Sequence, residues 1–502
     1  MAPSLLPWRQ PRWFSTLFMT DLWERFSFFG MMAILFLYAT SPGGLAMPPG
    51  SAGALVGLYI SLTFVASVPG GWLGDRVFGP QRAVLTGAVL IACGHLTLVI
   101  PVEPTFYLGI ALIAAGTGLL KPNLSALIGA FCPPGQAAER EAAFSVFFVS
   151  IQLGALLAPL VTGFVGESVD WHLGFGTAAV GMGVGIAVFA RGRKHLGEIG
   201  RTPSHPADPA TLRRLRLWGS VVSAVVAAGL IAAALNGVLR VELLVAVVGL
   251  LVLVAPLPYS RVISKGASAE ERVRLRAYAW VFFTTIVLFL LVSQSNSVLN
   301  HFAAVSTDRQ VGSFLIPASW FNSLHPLFVL LVAPVLARVW SGPAGRLAVP
   351  VKLAAGLVIA AVSFLLMVFA VQSPAASPLW LVAVYLTLST GELIIGTVGL
   401  GVTAQVAPPG ATSQLMGLWW LAGAVGAVIG GQLARLAMPG AGPGAGGEQG
   451  PATAEPLYFL ALTILPLLVA AVLVLARARI AARLRPGPKN PSFQLTTDGG
   501  PQ

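Results

Sequence analysis

A bundle of membrane-spanning α-helices is the fold that the sequence predicts, on three observations. Charged residues make up 10 % of the 502-residue chain, against about 25 % in a soluble protein. Mean hydropathy is +0.83, so most of the surface must face lipid. Apolar runs of spanning length, about 20 residues, recur along the whole chain. The runs lack the alternation of barrel strands, which are only about ten residues long. The chain is therefore read as all-α.

Taken in order, fourteen runs lie at 14–40, 52–72, 82–101, 105–130, 143–166, 172–190, 216–236, 241–258, 274–300, 314–338, 350–371, 379–405, 412–436 and 455–480. Turn residues separate them: Ser-Pro-Gly-Gly at 41–44, Gly-Pro at 79–80, and Pro-Pro-Gly at 133–135 and 408–410. Only the stretch from Arg191 to Leu215 reads as a polar linker. Six runs precede it, six begin near Arg276, and the pair 216–236 and 241–258 is inserted between. This divides the chain into a six-helix bundle (1–190), a linker with two extra spanning helices (191–273), a second six-helix bundle (274–485) and a disordered tail (486–502). The Gly/Pro-rich run 439–452 reads as a flexible loop.

Fourteen crossings put both termini on one side. The loops on that side carry 25 of the 30 basic residues. Arg240, Arg309 and Arg435 lie on the other side, and Arg25 and Lys121 lie within spans. Basic residues concentrate on cytoplasmic loops, so both termini are expected in the cytoplasm, with the protein in the inner (plasma) membrane. The +12 charge is thus a topology signal that calls for anionic lipid headgroups and no nucleic acid. The first run carries Asp21, Glu24 and Arg25 and lacks a cleavage site, so it reads as a helix and no signal peptide. Cys93 and Cys132 give neither a disulfide framework nor a metal spacing. Walker loop, HExxH, Cys/His cluster and triad are all missing from the sequence. It predicts neither an ATP-driven pump nor an enzyme, and no cofactor beyond protons as coupling ion.

Charges inside a span cost roughly 2.5–3.5 kcal/mol each on insertion scales and mark function by default. Five stand out: Asp21, Glu24 and Arg25 in the first run, Lys121 in the fourth, and Glu392 in the twelfth. Asp21 and Arg25 are spaced i,i+4 and Asp21 and Glu24 i,i+3, so they share one helical face, which Phe28, Phe29 and Met32 continue. Two cations face three carboxylates, leaving one acid without an obvious protein partner. Burial and a neighbouring cation pull a carboxyl's proton affinity in opposite directions, so such a group can take up and release a proton. A static ion-pair network between the first and fourth helices is the structural alternative. Lys121 precedes Pro122, which frees a carbonyl and bends a helix. An ammonium at such a kink suits a carboxylate, from Glu24 or from a ligand. His325 is a second group able to titrate near neutrality, or a hydrogen-bonded packing residue. His95, His172, His195, His205 and His301 stand alone and are assigned no role. Gly181-x3-Gly185 and Gly426-x3-Gly430 read as helix-packing contacts.

Two six-helix halves with a linker resemble the major facilitator fold, whose substrate site lies at the midplane between halves. Gly70-Gly71-Trp72-Leu73-Gly74-Asp75-Arg76 through Arg82 resembles that superfamily's loop between helices 2 and 3. The resemblance implies a gating role in which Asp75 caps a helix end, with Arg76 and Arg82 near phosphates. Closer still, Asp21-Leu-Trp-Glu24-Arg25-Phe26-Ser27-Phe28-Phe29-Gly30 resembles the ExxERFxYYG motif of the proton-dependent oligopeptide transporters, the POT (PTR2) family. Gly116-Thr117-Gly118 through Lys121-Pro122-Asn123 resembles their GTGxxKPN. Phe147 to Gly154 is similar to FYxxINxG, Ser323 to Phe328 to SLNPLF, and Gly391-Glu392-Leu393 to GEL. Met416 to Trp419 resembles MGLW.

The resemblance implies a proton-coupled symporter of di- and tripeptides or related modified peptides, working by alternating access. Lys121 would attract the peptide carboxylate and Glu392 its amine. Glu24, with Asp21 and Arg25, would carry the proton. Phe28, Phe29, Met32, Tyr59, Gln152, Gln294, His325 and Trp419 would line the site. The chain departs from the pattern in several places. Asp21 replaces a glutamate, Phe28 and Phe29 two tyrosines, Met32 an arginine and Ser293 a glutamate. Gln152 and His325 replace asparagines. This predicts a more apolar pocket in a divergent bacterial-type member, expected to be a monomer. Two other readings stay open: a facilitator of another amphipathic solute, exporters included, and a non-transporting scaffold or sensor.

Overall fold

A computed structural model describes residues 11–131, 137–214, 217, 220–221, 241–373, 375–408, 411–438 and 456–484. The first group of helices is α1 (Arg12–Thr40), α2 (Pro49–Leu73), α3 (Pro80–Val99), α4 (Glu103–Ala130), α5 (Ala137–Ala158), α6 (Phe164–Ser168) and α7 (Trp171–Leu196). Then come α8 (Val241–Val254) and α9 (Pro256–Lys265). The second group is α10 (Ala269–Ser293), α11 (Val298–Val305), α12 (Leu324–Ser341), α13 (Val349–Ala370), α14 (Pro378–Val406), α15 (Thr412–Ala437), α16 (Pro456–Leu475) and α17 (Arg477–Leu484). Among the described residues, thirteen stretches are long and apolar enough to cross a membrane. The remaining expected span, 216–236, falls mostly outside the described residues, as do Cys132, the loop 439–452 and the tail 486–502.

Local chemistry accounts for the ends. Proline opens α2, α3, α13 and α14, where its missing N–H costs nothing. Asp170 Oδ1 accepts from the His172 and Leu173 amides at the start of α7. Ser268 and Glu271 form a reciprocal capping box on α10. Gly79, at φ +77°, makes the left-handed turn into α3.

Four expectations are corrected. The linker begins later than Arg191, because α7 continues to Leu196. The run at 314–338 starts as a two-stranded ribbon, Gln310–Val311 against Phe314–Leu315, before a 3₁₀ turn at Ala318–Ser323. Gly312, at φ +60°, turns that ribbon, and Arg309 braces it by donating to the carbonyls of Ile316 (2.6 Å) and Ala304 (3.2 Å). Asp75 caps no helix: it is exposed in a π-helical turn, Gly74–Phe78, that has no side-chain cap. Its carbonyl and that of Arg76 accept instead from the amides of His205 and Ala207 in the linker. The histidines are not all solitary either. Buried His95 meets Ser27 at 2.6 Å, His172 Nδ1 meets the Leu98 carbonyl at 2.9 Å, and His301 packs edge-on to Phe36. The two glycine pairs do pack helices: Gly181 and Gly185 admit Phe26 and Trp23 of α1, and Gly426 and Gly430 admit α10.

The face at which α1 begins and α17 ends is the terminal face, and the opposite one is distal. Contacts between the two halves gather toward the distal face. Ser61 Oγ donates to the Ala424 carbonyl (2.7 Å) and Asn300 Nδ2 to the Ala33 carbonyl (2.9 Å). Ser323 Oγ donates to Leu156 (2.8 Å) and Trp320 Nε1 to Leu160 (3.0 Å). Glu167 accepts from the Ala318 and Ser319 amides and lies 3.8 Å from Arg309. By contrast α4 packs on α1, α2, α3 and α5, and α14 on helices of its own half. The seam is thus closed distally and not sealed between α4 and α14. Intramembrane hydrogen bonds average about 0.6 kcal/mol each, so a seam of this make-up can reopen. Within it α2 packs tightly on α15, where a Cβ on Gly57 would lie 2.5 Å from the Ala427 carbonyl. Gly57→Val is expected to cost about 1–3 kcal/mol, as overpacking does. It should lower the Tm and raise labelling of an Ala54→Cys probe from the distal side; unchanged labelling would refute the closure.

Candidate functional site

The face predicted for α1 is present and buried. Glu24 is 0 % exposed, and Asp21 and Arg25 are nearly as buried. Arg25 lies between the two acids, with Nη2 2.7 Å from Glu24 Oε2 and Nε 3.5 Å from Asp21 Oδ1. Asp21 is further held by Ser150 of α5, whose hydroxyl donates to Oδ2 at 2.8 Å. Glu24 has no such support. Among the described residues its Oε1 has no hydrogen-bond partner, and Oε2 meets Arg25 as a close charge contact without hydrogen-bond alignment. α5 comes close enough to supply Ser150 because Gly154 faces α1: a Cβ there would lie 2.6 Å from Arg25 Cβ. The two acids therefore differ in kind. Asp21 is fixed by two partners, whereas Glu24 is the less restrained carboxylate.

Lys121 departs from expectation. No carboxylate lies within 4 Å of it among the described residues. Its ammonium sits 5.3 Å from the Phe64 ring centroid and 5.1 Å from that of Trp420. Those rings stack on each other at 5.5 Å, and Phe289 packs edge-on to Phe64 and to Trp419. An ammonium over aromatic faces is stabilised without being neutralised, so its charge stays available to an anion. Phe64 belongs to α2 and Trp420 to α15, so the cage spans the two halves. Reading by motif missed Phe64, Trp420 and Ser150. Trp420 directly follows the MGLW match, but nothing in spacing alone pairs it with Phe64.

In the second half, His325 Nε2 of α12 meets Glu392 Oε2 of α14 at 2.6 Å. Both side chains are partly accessible, 22 % and 27 %. Glu392 shares a stripe of α14 with Tyr385, Ser389 and Gly399. Tyr385 hydroxyl lies 3.3 Å from Asn322, Ser389 donates to the His325 carbonyl, and Gly399 faces Trp419. That stripe points into the protein. A Cβ at Gly396, one turn beyond Glu392, would meet nothing within 4 Å, so there is open space beside the carboxylate.

Other expected lining residues are packed. Met32 is in the apolar core, and Tyr59 (0 % exposed) stacks on Phe28. Phe28 meets Phe29 edge-on and lies under Arg25. Gln294 is spent, donating to the Leu290 and Gly430 carbonyls and accepting from Tyr458. Trp419 is buried, its indole N–H without a partner among the described residues, and Gln152 is buried on α5. Tyr59, Gln294 and Trp419 are thus each packed against other side chains in this state.

Comparison with known proteins identifies the family. A family model described as PTR2, the POT family, matches residues 81–442. The chain is similar to an uncharacterized transporter, YclF, of Bacillus subtilis, at 38 % identity over 437 residues, 85 % of this chain and 88 % of that one. It is 34 % identical to a di-/tripeptide transporter of Lactococcus lactis subsp. cremoris, covering 85 % of this chain and 90 % of the other. Among solved structures, a peptide transporter POT in complex with sulfate superposes with a TM-score of 0.87. It shares 36 % identity and covers 95 % of this chain and 96 % of its own. A POT family transporter in complex with 5-aminolevulinic acid gives a TM-score of 0.85 at 28 % identity, with 94 % and 97 % covered. With the helix arrangement, the buried α1 acids and the caged lysine already in place, these matches make the chain a multi-pass membrane transporter of the major facilitator fold, and it belongs to the POT family.

Proposed function

We propose that this protein imports di- and tripeptides, or closely related modified peptides, by proton-coupled symport. The observation that carries the reading is the pairing of Glu24, buried and incompletely partnered, with a lysine caged rather than neutralised. A peptide carboxylate arriving at Lys121 changes the field at Glu24, and proton uptake at Glu24 changes the field at Lys121. Glu392 on the opposite wall receives the amine, so the site's two signs match a zwitterion. Relatives named for di- and tripeptide transport, and a solved neighbour holding 5-aminolevulinic acid, an amino acid with both charged ends, support that substrate class. Protons are the only cofactor in this reading.

In this reading the terminal face, rich in Lys and Arg, is cytoplasmic, the membrane is the inner (plasma) membrane, and the closed distal seam makes this the inward-facing state. Anionic headgroups lie against the basic loops. Because the site lies between the chain's own halves, a monomer suffices. A second reading, transport of another amphipathic solute, draws on Phe28, Phe29, Met32 and Ser293, which remove hydroxyls and charges from the site.

Uptake of labelled dialanine into proteoliposomes under an inward proton gradient tests the proposal. Accumulation is expected; gradient-driven efflux of a lipophilic cation with no peptide uptake would overturn it. Glu392→Gln should weaken binding of dialanine about tenfold or more, the effect of losing a charge within ~4–6 Å. N-acetylated dialanine should be little affected, as measured by equilibrium binding.

A further inference from the structure

The wall assigned to the substrate amine already holds a group of the same kind. His325 Nε2 lies 2.6 Å from Glu392 Oε2, the atom an ammonium would seek. We propose that His325 is a built-in counter-cation that lets the pH of the cavity choose between cargo with a free amine and cargo without one. The inference rests on the peptide reading above and on Glu392 as amine acceptor.

The charge arithmetic gives the sign. Neutral imidazole with its proton on Nε2 donates to the carboxylate, and the pair carries −1, which attracts an ammonium. Imidazolium keeps the same hydrogen bond, but the pair then sums to zero, and the ammonium must compete with a resident cation. As a free group, imidazole is the side chain that changes charge between about pH 5 and 8. The family-type asparagine at this position could donate the same bond and never change charge.

Among the described residues, Glu392 is the only ion-pair partner within 4 Å of His325, and His325 the only one of Glu392. α12 packs against α5, the 3₁₀ turn Ala318–Ser323, α14 and the turn Pro343–Arg346. The described side chains of α5 carry no charge, the 3₁₀ turn carries none, and α14 carries only Glu392. Arg338 of α12 and Arg346 lie toward the helix's far end, Arg338 being about 20 Å along it at 1.5 Å per residue. Asp21, Glu24, Arg25 and Lys121 belong to the first half. Ser389 touches His325 only at its carbonyl, at 3.2 Å. A charge placed on the imidazole thus acts directly on Glu392.

The test is the ratio of affinities for dialanine and N-acetyl-dialanine, measured by equilibrium binding to the full chain in nanodiscs at pH 7 and pH 5. Both peptides carry the same carboxylate, so effects at Lys121 and Glu24 cancel in the ratio. The α-amine, with a pKa of about 7.7–8.0, is largely protonated at both values. In the wild type the ratio should fall about tenfold from pH 7 to pH 5, the scale of a unit charge within ~4–6 Å. In His325→Asn and in His325→Gln it should stay flat, at or above the wild-type value for pH 7. A pH-independent ratio in the wild type, or an equal fall in either variant, would overturn the inference. A wild-type ratio at pH 7 that Glu392→Gln leaves unchanged, or no binding of dialanine, would remove the amine-site reading and the inference with it.

Discussion

Replacing Glu24 by glutamine is expected to collapse concentrative peptide uptake to simple equilibration. A membrane potential of 100 mV supplies about 2.3 kcal/mol per charge, and each pH unit about 1.4 kcal/mol. With one proton per neutral peptide, the two together support roughly 500-fold accumulation. Glutamine keeps the shape of the side chain but cannot bind the proton, so the accumulation ratio should fall to about one, all of that coupling energy being lost. Exchange of labelled for unlabelled peptide across equal concentrations needs no net proton movement and should persist. Arg25 retains Asp21 as a partner at 3.5 Å, and Asp21 retains Ser150, so the fold does not depend on the deleted charge. Proteoliposome assays of both modes check this. Undiminished accumulation in Glu24→Gln would put the coupling elsewhere.

Lys121→Ala is expected to have the second largest effect. A hydrogen bond to a charged group is worth about 1.5–3 kcal/mol, so affinity for dialanine should fall roughly ten- to a hundred-fold. Its C-terminal amide, which has no carboxylate to offer, should lose little. Phe64 and Trp420 still stack in the variant, so the Tm should move only slightly. Equal losses for acid and amide would assign the lysine to packing. That contrast is sharper than activity alone, because a purely structural lysine would injure both ligands together.

Much of this was legible beforehand because the membrane restricts what a chain can do. Thirteen of the expected spans have helical counterparts, since only unbroken backbone hydrogen bonding survives in lipid. The boundaries that shifted did so where polar chemistry intervened, as at the Arg309-braced ribbon. The α1 cluster was readable because i,i+3 and i,i+4 spacing fixes a face whatever the tertiary structure. The partners of Lys121 were not. They come from residues 64 and 420, brought together only by the packing of the two halves. The His325–Glu392 contact was hidden for the same reason: each residue was singled out, but 67 positions separate them. Asp75 shows the opposite failure, a motif match whose side chain is exposed and makes no capping bond, while its main-chain carbonyl accepts from a linker amide.

The aromatic cage around Lys121 has a kinetic consequence. One ring travels with each half, so a cycle that moves the halves against each other works on the stack of Phe64 and Trp420. Cage strength therefore enters the barrier between resting conformations, and so turnover frequency, as well as how firmly cargo is held. A bulky anionic side chain on the cargo that slips between the rings would act as a brake, trapping the transporter part-way.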